Sequence, residues 1–535
     1  MDSSLVDALA RDLAAAGYTH EGVRALVGDD AHDALSRMLA EPARRAASRR
    51  PGPLSTLLRA LWLGDAVPEA ELTDALPALG AQGAVALGVA EHRGDRIAPL
   101  VTVRAHAFRD ARGAGEWWIA SDLDELAGVW PLRPDHVLGV GGAARTLAAL
   151  LPQAPVAAAL DLGTGCGVIA LHVRRIAERV VATDVSERAL WFTRLNAALN
   201  GVDGVETRLG SLYEPVVGER FDLIATNPPF VITPRAVGVP AFEYRDGGLA
   251  GDALMASVVG GIGDHLAPGG SARLLGNWEA QGDAQGLERV RGWLAGAALD
   301  AWAIERESLP PVRYAELWLR DGGTLPRDPE HDRLMDAWLD DFEARGVTAI
   351  GMGWLALRLP AAATTTDGAA EAASGAASGA EAGAEAGAEP ETAAQAVPSL
   401  ARFERIPHAV QLEHVGGHLV AAFDDAAWLA GLDDDALAAE HLVTAPDVTE
   451  ARHQLPGAAG PNVIELRQGG ALARSLSVDT ALAALVGACD GELAIGRLIA
   501  AIAGLLEVDE HVLAADLLPR VRELVLCGFL RPIAD

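Results

Sequence analysis

The 535-residue sequence has no lysine: all 43 basic side chains are arginine, set against 74 aspartates and glutamates, for a formal net charge of −31. That balance argues against tight, nonspecific nucleic-acid binding driven by phosphate contacts, while leaving room for a local basic face. The missing lysine reads as a codon bias toward GC-rich triplets and carries no chemistry. Cysteine is scarce. Cys166, Cys489 and Cys527 lie too far apart for a metal-ligand spacing or a disulfide framework, which fits a reducing compartment. No run approaches the roughly 18 unbroken apolar residues of a membrane-spanning helix. The opening stretch, MDSSLVDALARDLAAAGY, carries acids and reads as an amphipathic helix, not a signal peptide. A soluble, cytoplasmic protein without metal or membrane is expected.

What is present is chain enough for about three domains. Residues 1–134 begin with apolar residues at helical spacing (LVDALARDLAAAG, LSTLLRALWLG, EAELTDALPALG). They continue into GVAEHRGDRIAPLVTVRAHAF, paired strands about a glycine-containing turn. Helices followed by a small hairpin suggest a winged-helix-like arrangement, with a simple packing domain as the alternative. From residue 135 the pattern alternates between strand and helix. VAAALDLG, RVVATDV, VETRLG, FDLIATN, SARLLGN, DAWAIERES and AELWLRD are seven strand candidates. Such alternation predicts a largely parallel sheet covered by helices, ending near residue 325.

Residues 361–398 form an Ala/Gly/Glu-rich tract without large apolar side chains, whose burial would gain too little to offset chain entropy. It reads as a disordered insertion in a C-terminal domain of residues 326–360 and 399–535, with a plain interdomain linker as the alternative. That domain ends in three helical segments and the strand-like CGFLRP, a second winged-helix-like pattern. His408, His414 and His418 lack metal-ligand spacing, and Gly416 and Gly417 are expected to break any helix that would align them.

The chemistry concentrates in two places. In ALDLGTGCGVIALH, Asp161 ends a strand and is followed by Gly163, Gly165 and Gly167, then a helix. Glycines there let the backbone turn tightly and approach a ligand, and the helix N-terminus beyond offers unpaired N–H groups. Gly165-x-Gly167-x-x-Ala170 also fits a dinucleotide fingerprint, so the loop alone leaves the cofactor open. Asp184 ends the next strand, where a carboxylate can accept both hydroxyls of a ribose; capping the helix that follows is the alternative role. Cys166, inside the loop, reads as a small space-filling residue.

The second place is ATNPPF, closing the fourth strand. Proline cannot donate to a sheet ladder, so the strand stops near Thr226 and a stiff turn of Asn227, Pro228, Pro229 and Phe230 follows at the ligand-binding edge of the sheet. The Asn227 side-chain oxygen and the Pro228 carbonyl can each accept one hydrogen of a planar –NH₂, with Phe230 stacking on it. A tight Pro-Pro turn with Phe230 in the core is the purely structural alternative.

With its acid ahead of G-x-G-x-G and its N-P-P-F turn, the segment 135–325 resembles class I methyltransferases that use S-adenosylmethionine (SAM) and are directed at amino nitrogens, the N-P-P-[FY] type. The resemblance implies an α/β fold with a Rossmann-like seven-stranded sheet, here flanked by smaller helical or winged-helix-like domains. It implies SAM as cofactor, held by Asp161, Gly163, Gly165, Gly167, Asp184 and Asn227. Ser211 stands where such enzymes often carry an acid for the adenine amino group. Catalysis falls to Asn227, Pro228, Pro229 and Phe230. The group includes enzymes that methylate glutamine amides of peptide-chain release factors, whose acid-Gly-Gly-x-x-Gly stretch is similar to the RDGGLAGD segment here. It also includes enzymes acting on adenine or guanine amino groups of DNA and RNA. The expected acceptor is therefore macromolecular: a protein glutamine amide, or alternatively a nucleic-acid base docked with the help of the arginine-rich EPARRAASRRPG at 41–52. A noncatalytic SAM-binding scaffold is the remaining reading.

Overall fold

The computed structural model describes residues 1–110, 112–129, 132–361 and 398–533. Its centre is an eight-stranded sheet. In chain order the strands are β1 (Val156–Leu162), β2 (Ala177–Asp184), β3 (Val205–Leu209), β4 (Phe221–Thr226), β5 (Leu266–Gln281), β6 (Asp300–Leu309), β7 (Val347–Arg358) and β8 (Ala401–Arg405). Across the sheet they run β8-β6-β7-β5-β4-β1-β2-β3. β3, β2, β1, β4 and β5 are mutually parallel, β7 is antiparallel to both its neighbours, and β8 is parallel to β6. Both faces are covered, so the central strands are apolar throughout: in β4, Leu223 and Ala225 join the core on one face and Ile224 the core on the other.

The first six strand candidates coincide with β1–β6. The seventh does not. Residues 315–321 lie in a helix, Pro311–Asp321, which opens on a proline at a position where no amide hydrogen is needed. Its buried residues Tyr314, Ala315 and Leu319 share one helical face, whereas a strand would bury Leu317, which is exposed. The missing strand is β7, beyond the expected boundary at 325, and β8 extends the sheet further still. Segments of residues 326–360 and 399–535, expected in the C-terminal domain, thus belong to the central sheet. The Ala/Gly/Glu-rich tract, apart from its end residues 361 and 398, lies outside the described residues.

Around the sheet pack helices α1 (Gly142–Leu150), α2 (Val168–Arg174), α3 (Glu187–Leu199) and α4 (Ala253–His265). N-terminal to them, a helix ending at Trp62, a strand (Val67–Pro68), two helices (Glu69–Ala75, Gly80–Leu87) and two strands (Ala90–Arg93, Arg96–Pro99) follow one another in the chain. Arg96–Pro99 lies between the other two strands. A long hairpin, Val101–Asp110 with Gly113–Asp122, fastens this region to α3: Asn196 Oδ1 accepts from Ala120 N at 2.7 Å and Asn200 Oδ1 from Trp118 N at 2.9 Å.

At the other end of the chain, helix Leu412–Ala430 contains both Gly416 and Gly417, which do not break it. Gly416 lies so close to the 149–151 backbone that a Cβ would stand 2.3 Å from the Leu151 carbonyl oxygen. Glycine is kept there for close helix packing. No helix among the described residues is long and apolar enough to cross a membrane.

Candidate functional site

Register brings the ends of three strands level. Leu162 of β1 pairs with Thr183 of β2 and with Thr226 of β4, and the Thr226 hydroxyl donates to the Leu162 carbonyl at 2.7 Å. The loops leaving β1, β2 and β4 therefore meet at one sheet edge, where β1 and β4 mark the reversal of strand order. A cavity of about 320 Å³ opens there, within the usual range for small-molecule sites.

The glycine loop forms its floor. Gly163 and Thr164 each donate their backbone N–H to the Thr183 carbonyl at 2.9 Å. Gly163 and Gly165 both have positive φ, and a Cβ on either would meet nothing within 4 Å; the space beside them is open for a ligand. Gly167 serves differently. It does not line the cavity, and a Cβ there would stand 2.9 Å from the Thr193 Cα, so this glycine permits close packing of α3 on the loop. Asn196 holds that contact, donating to the Cys166 carbonyl at 2.8 Å. Burial pushes the Cys166 thiol up to about 11, which fits a space-filling role.

Asp184 accepts from Gly165 N and from Ser186 N, both at 2.9 Å, so it braces the loop from the neighbouring strand while lining the cavity. Burial raises its pKa. Ser186, not Asp184, caps α3, its hydroxyl accepting from Ala189 N. Asp161 also lines the cavity and is almost fully buried; Thr164 Oγ1 donates to it at 2.6 Å. Burial raises the Asp161 carboxyl to about 7, with the nearby Asp184 charge acting in the same direction. Folding therefore opposes its ionisation: stability is intact in acid and declines as pH rises from the ordinary carboxylate range through about 7. Asp161→Asn is expected to raise the Tm of the ligand-free protein at pH 8. That gain should vanish as the pH is lowered to about 4, as thermal unfolding across pH would show.

At the end of β4, Asn227, Pro228 and Pro229 line the same cavity. The Asn227 Oδ1 is buried and has no hydrogen-bond partner, a cost that a ligand donor would remove. The Pro228 carbonyl already accepts from Phe230 N at 2.7 Å, leaving one lone pair. Phe230 departs from expectation. It is absent from the cavity wall, bridges to Asp246 and packs among three apolar clusters, because Val231 N bonds the Arg245 carbonyl and draws the chain away from the opening. A stacking role for Phe230 is not what this geometry provides. Ser211 does line the cavity.

Residues 135–139, Gly141, Thr183, Glu243, Tyr244, Asp246 and Gly247 line more of the wall. Three further buried polar atoms there have no partner: His136 Nε2, Thr183 Oγ1 and Asp246 Oδ2. Asp246 stood inside the RDGGLAGD segment. His136 gave no signal, because long-range bonds place it: Glu243 N donates to the Pro134 carbonyl and Val137 N to Asp122. Burial holds the His136 imidazole below its usual pKa. An open glycine floor, two carboxylates and four unpaired polar atoms fit an amino-acid-bearing nucleoside cofactor.

A family model described as methyltransferase small domain matches residues 139–238, and two models of domains of unknown function (DUF7059 and DUF7782) match residues 15–100 and 420–532. The release factor glutamine methyltransferase of Xylella fastidiosa (strain Temecula1) is 37% identical over 152 residues, 26% of this chain and 54% of that protein. The protein of the same name from Cereibacter sphaeroides is 38% identical over 154 residues, 25% of this chain and 54% of that protein. The chain thus spans about half the length of these curated relatives. A methyltransferase structure from Pyrococcus furiosus aligns over 40% of this chain and 80% of that one, at 18% identity and a TM-score of 0.25. The central sheet therefore carries a class I SAM-dependent methyltransferase domain that resembles those of release-factor glutamine methyltransferases.

Proposed function

We propose that this protein transfers a methyl group to a planar nitrogen, with a glutamine amide of a protein as the acceptor. The observation that carries the reading is the unpartnered, buried Asn227 Oδ1 in the wall of the cavity that holds the glycine loop. SAM, when bound, supplies an electrophilic sulfonium methyl: the new N–C bond forms as the S–C bond breaks, its electron pair passing to sulfur. The chain's own residues bind and orient. Asp184 and Asp161 are the acceptors for ribose hydroxyls and for the cationic amino-acid portion. Asn227 Oδ1 and the free lone pair of the Pro228 carbonyl hold the two hydrogens of an –NH₂ group, which turns the nitrogen lone pair toward the methyl. The prolines limit reorganisation of those acceptors, and alignment supplies much of the rate. No strong base is needed before attack, since the nitrogen sheds its proton afterwards.

The similarity to glutamine-directed relatives supports the amide acceptor. The winged-helix-like arrangement expected near the N-terminus favours a second reading, an exocyclic amine of a nucleic-acid base. In the arginine-rich segment at 41–52, Arg44 is engaged by Asp65 and Arg50 by the carbonyls of Ala25 and Leu26, which leaves the exposed Arg45 and Arg49 for such a role. Incubation of a cell extract with methyl-labelled SAM and the protein is expected to give product label released by protease. Label released by nuclease instead would overturn the amide acceptor.

A further inference from the structure

A second cavity, about 350 Å³, lies behind the cofactor site, among hairpin strand Val101–Asp110, α1 and α2. Ala144 and Val168 line both cavities. Three arginines stand at the second one, Arg109, Arg112 and Arg145. Most arginines of this acidic chain are held by a carboxylate or a backbone carbonyl, yet these three have no salt bridge or side-chain hydrogen bond among the described residues. The adjacent acid, Asp110, is taken by Arg175 through two bonds. Glu413 is the other acid, exposed at the rim. The wall carries His106, Phe108 and His172 as a mutually contacting cluster, Phe108 lying 6.1 and 4.9 Å from the two imidazoles and the imidazoles 6.1 Å from each other, centroid to centroid. Burial lowers these imidazoles to about 4 and about 3, and the Arg145 charge acts in the same direction on His106. Both are therefore neutral near pH 7 and can donate one N–H each without adding charge.

We propose that this cavity is a binding site for a small polyanion, a ligand bearing phosphate or several carboxylates. Three exposed arginines without a carboxylate partner border one cavity, in a chain whose net charge of −31 would otherwise repel such a ligand. Guanidinium forks match the oxygens of phosphate and carboxylate, and an unpaired fork gives up no existing ion pair when it engages them. The volume suits a metabolite-sized molecule.

Isothermal titration of the full chain at near-physiological salt, with inorganic pyrophosphate in one arm and citrate in the other, tests this. At least one should bind with a Kd of roughly 1 mM or below. R109A/R145A should weaken that binding by about tenfold or more, while S-adenosylhomocysteine binding confirms that the variant is folded. Single R145A replaces the double variant should the latter unfold. R45A/R49A, which removes two exposed arginines outside this cavity, should leave the affinity unchanged. Preference for pyrophosphate identifies a phosphate ligand, and preference for citrate a carboxylate one. The proposal is overturned if neither polyanion binds, or if R45A/R49A weakens binding as much as R109A/R145A.

Discussion

Asn227→Ala is expected to lower the rate of methyl transfer by about 10²-fold or more while leaving S-adenosylhomocysteine affinity nearly unchanged. The substitution removes an acceptor that is already buried and unsatisfied in the ligand-free protein, so it should not weaken the fold. Truncating it relieves a desolvation cost and breaks no internal bond. What is lost is the fixed oxygen that orients the acceptor nitrogen. Its partner, the Pro228 carbonyl, is a backbone group still held by Phe230 N and cannot move to compensate. The loss should therefore appear mainly in kcat, measured as S-adenosylhomocysteine release at saturating cofactor. An equal loss of cofactor affinity would mean that Asn227 serves the cofactor and not the acceptor.

Asp300→Ala should destabilise the central sheet by about 2–5 kcal/mol, because buried backbone donors lose their acceptor, each such loss costing about 1–3 kcal/mol. Asp300 is fully buried at the start of β6. One oxygen, Oδ2, accepts from Arg358 Nε and Nη2 at 3.1 and 3.0 Å. The other, Oδ1, accepts from Ser399 N at 2.6 Å, Ser399 Oγ at 3.0 Å and Leu400 N at 3.0 Å. One carboxylate thus joins β6, the end of β7 and the entry to β8. Its removal orphans two backbone N–H groups and takes one of two carboxylates from the Arg358 guanidinium, 15% exposed, which keeps Asp424 and the Phe423 carbonyl. Urea unfolding measures the effect. Because β6, β7 and β8 lie on the side of β5 away from the cavity, cofactor affinity of the folded fraction should survive.

These two residues mark what a sequence discloses and what it withholds. The strands β1–β6 were legible because each is a short apolar run bounded by turn residues, and their alternation with helices pointed to a largely parallel sheet. β7 was not assigned to this sheet, because an antiparallel strand inserted between β5 and β6 comes after both in sequence, and nothing local states its partner. Residues 315–321 misled because Ala315, Leu317 and Leu319 alternate like a strand, while the true periodicity includes Tyr314. Helix Leu412–Ala430 was obscured by Gly416, whose reason is a backbone carbonyl 265 residues earlier, at Leu151.

The site divides along the same line. The glycine loop, Asp161, Asp184, Ser211, Asn227, Pro228 and Pro229 were readable from motif and spacing, and all but Gly167 of the loop's three named glycines meet at one cavity. Phe230 was assigned to that cavity by adjacency, yet it pairs with Asp246 and packs, partly buried, against the neighbouring apolar clusters. His136 faces the site only through bonds to distant loops, so no local pattern announces it.

The most direct measurement of the central claim is fragmentation mass spectrometry of an acceptor modified by this protein with deuterated SAM, read at the level of the single labelled atom. The account predicts a methyl group on a planar side-chain nitrogen, that of glutamine, absent from the product of Asn227→Ala. A methyl group on carbon, oxygen or sulfur, or on nitrogen at undiminished yield in Asn227→Ala, would contradict it.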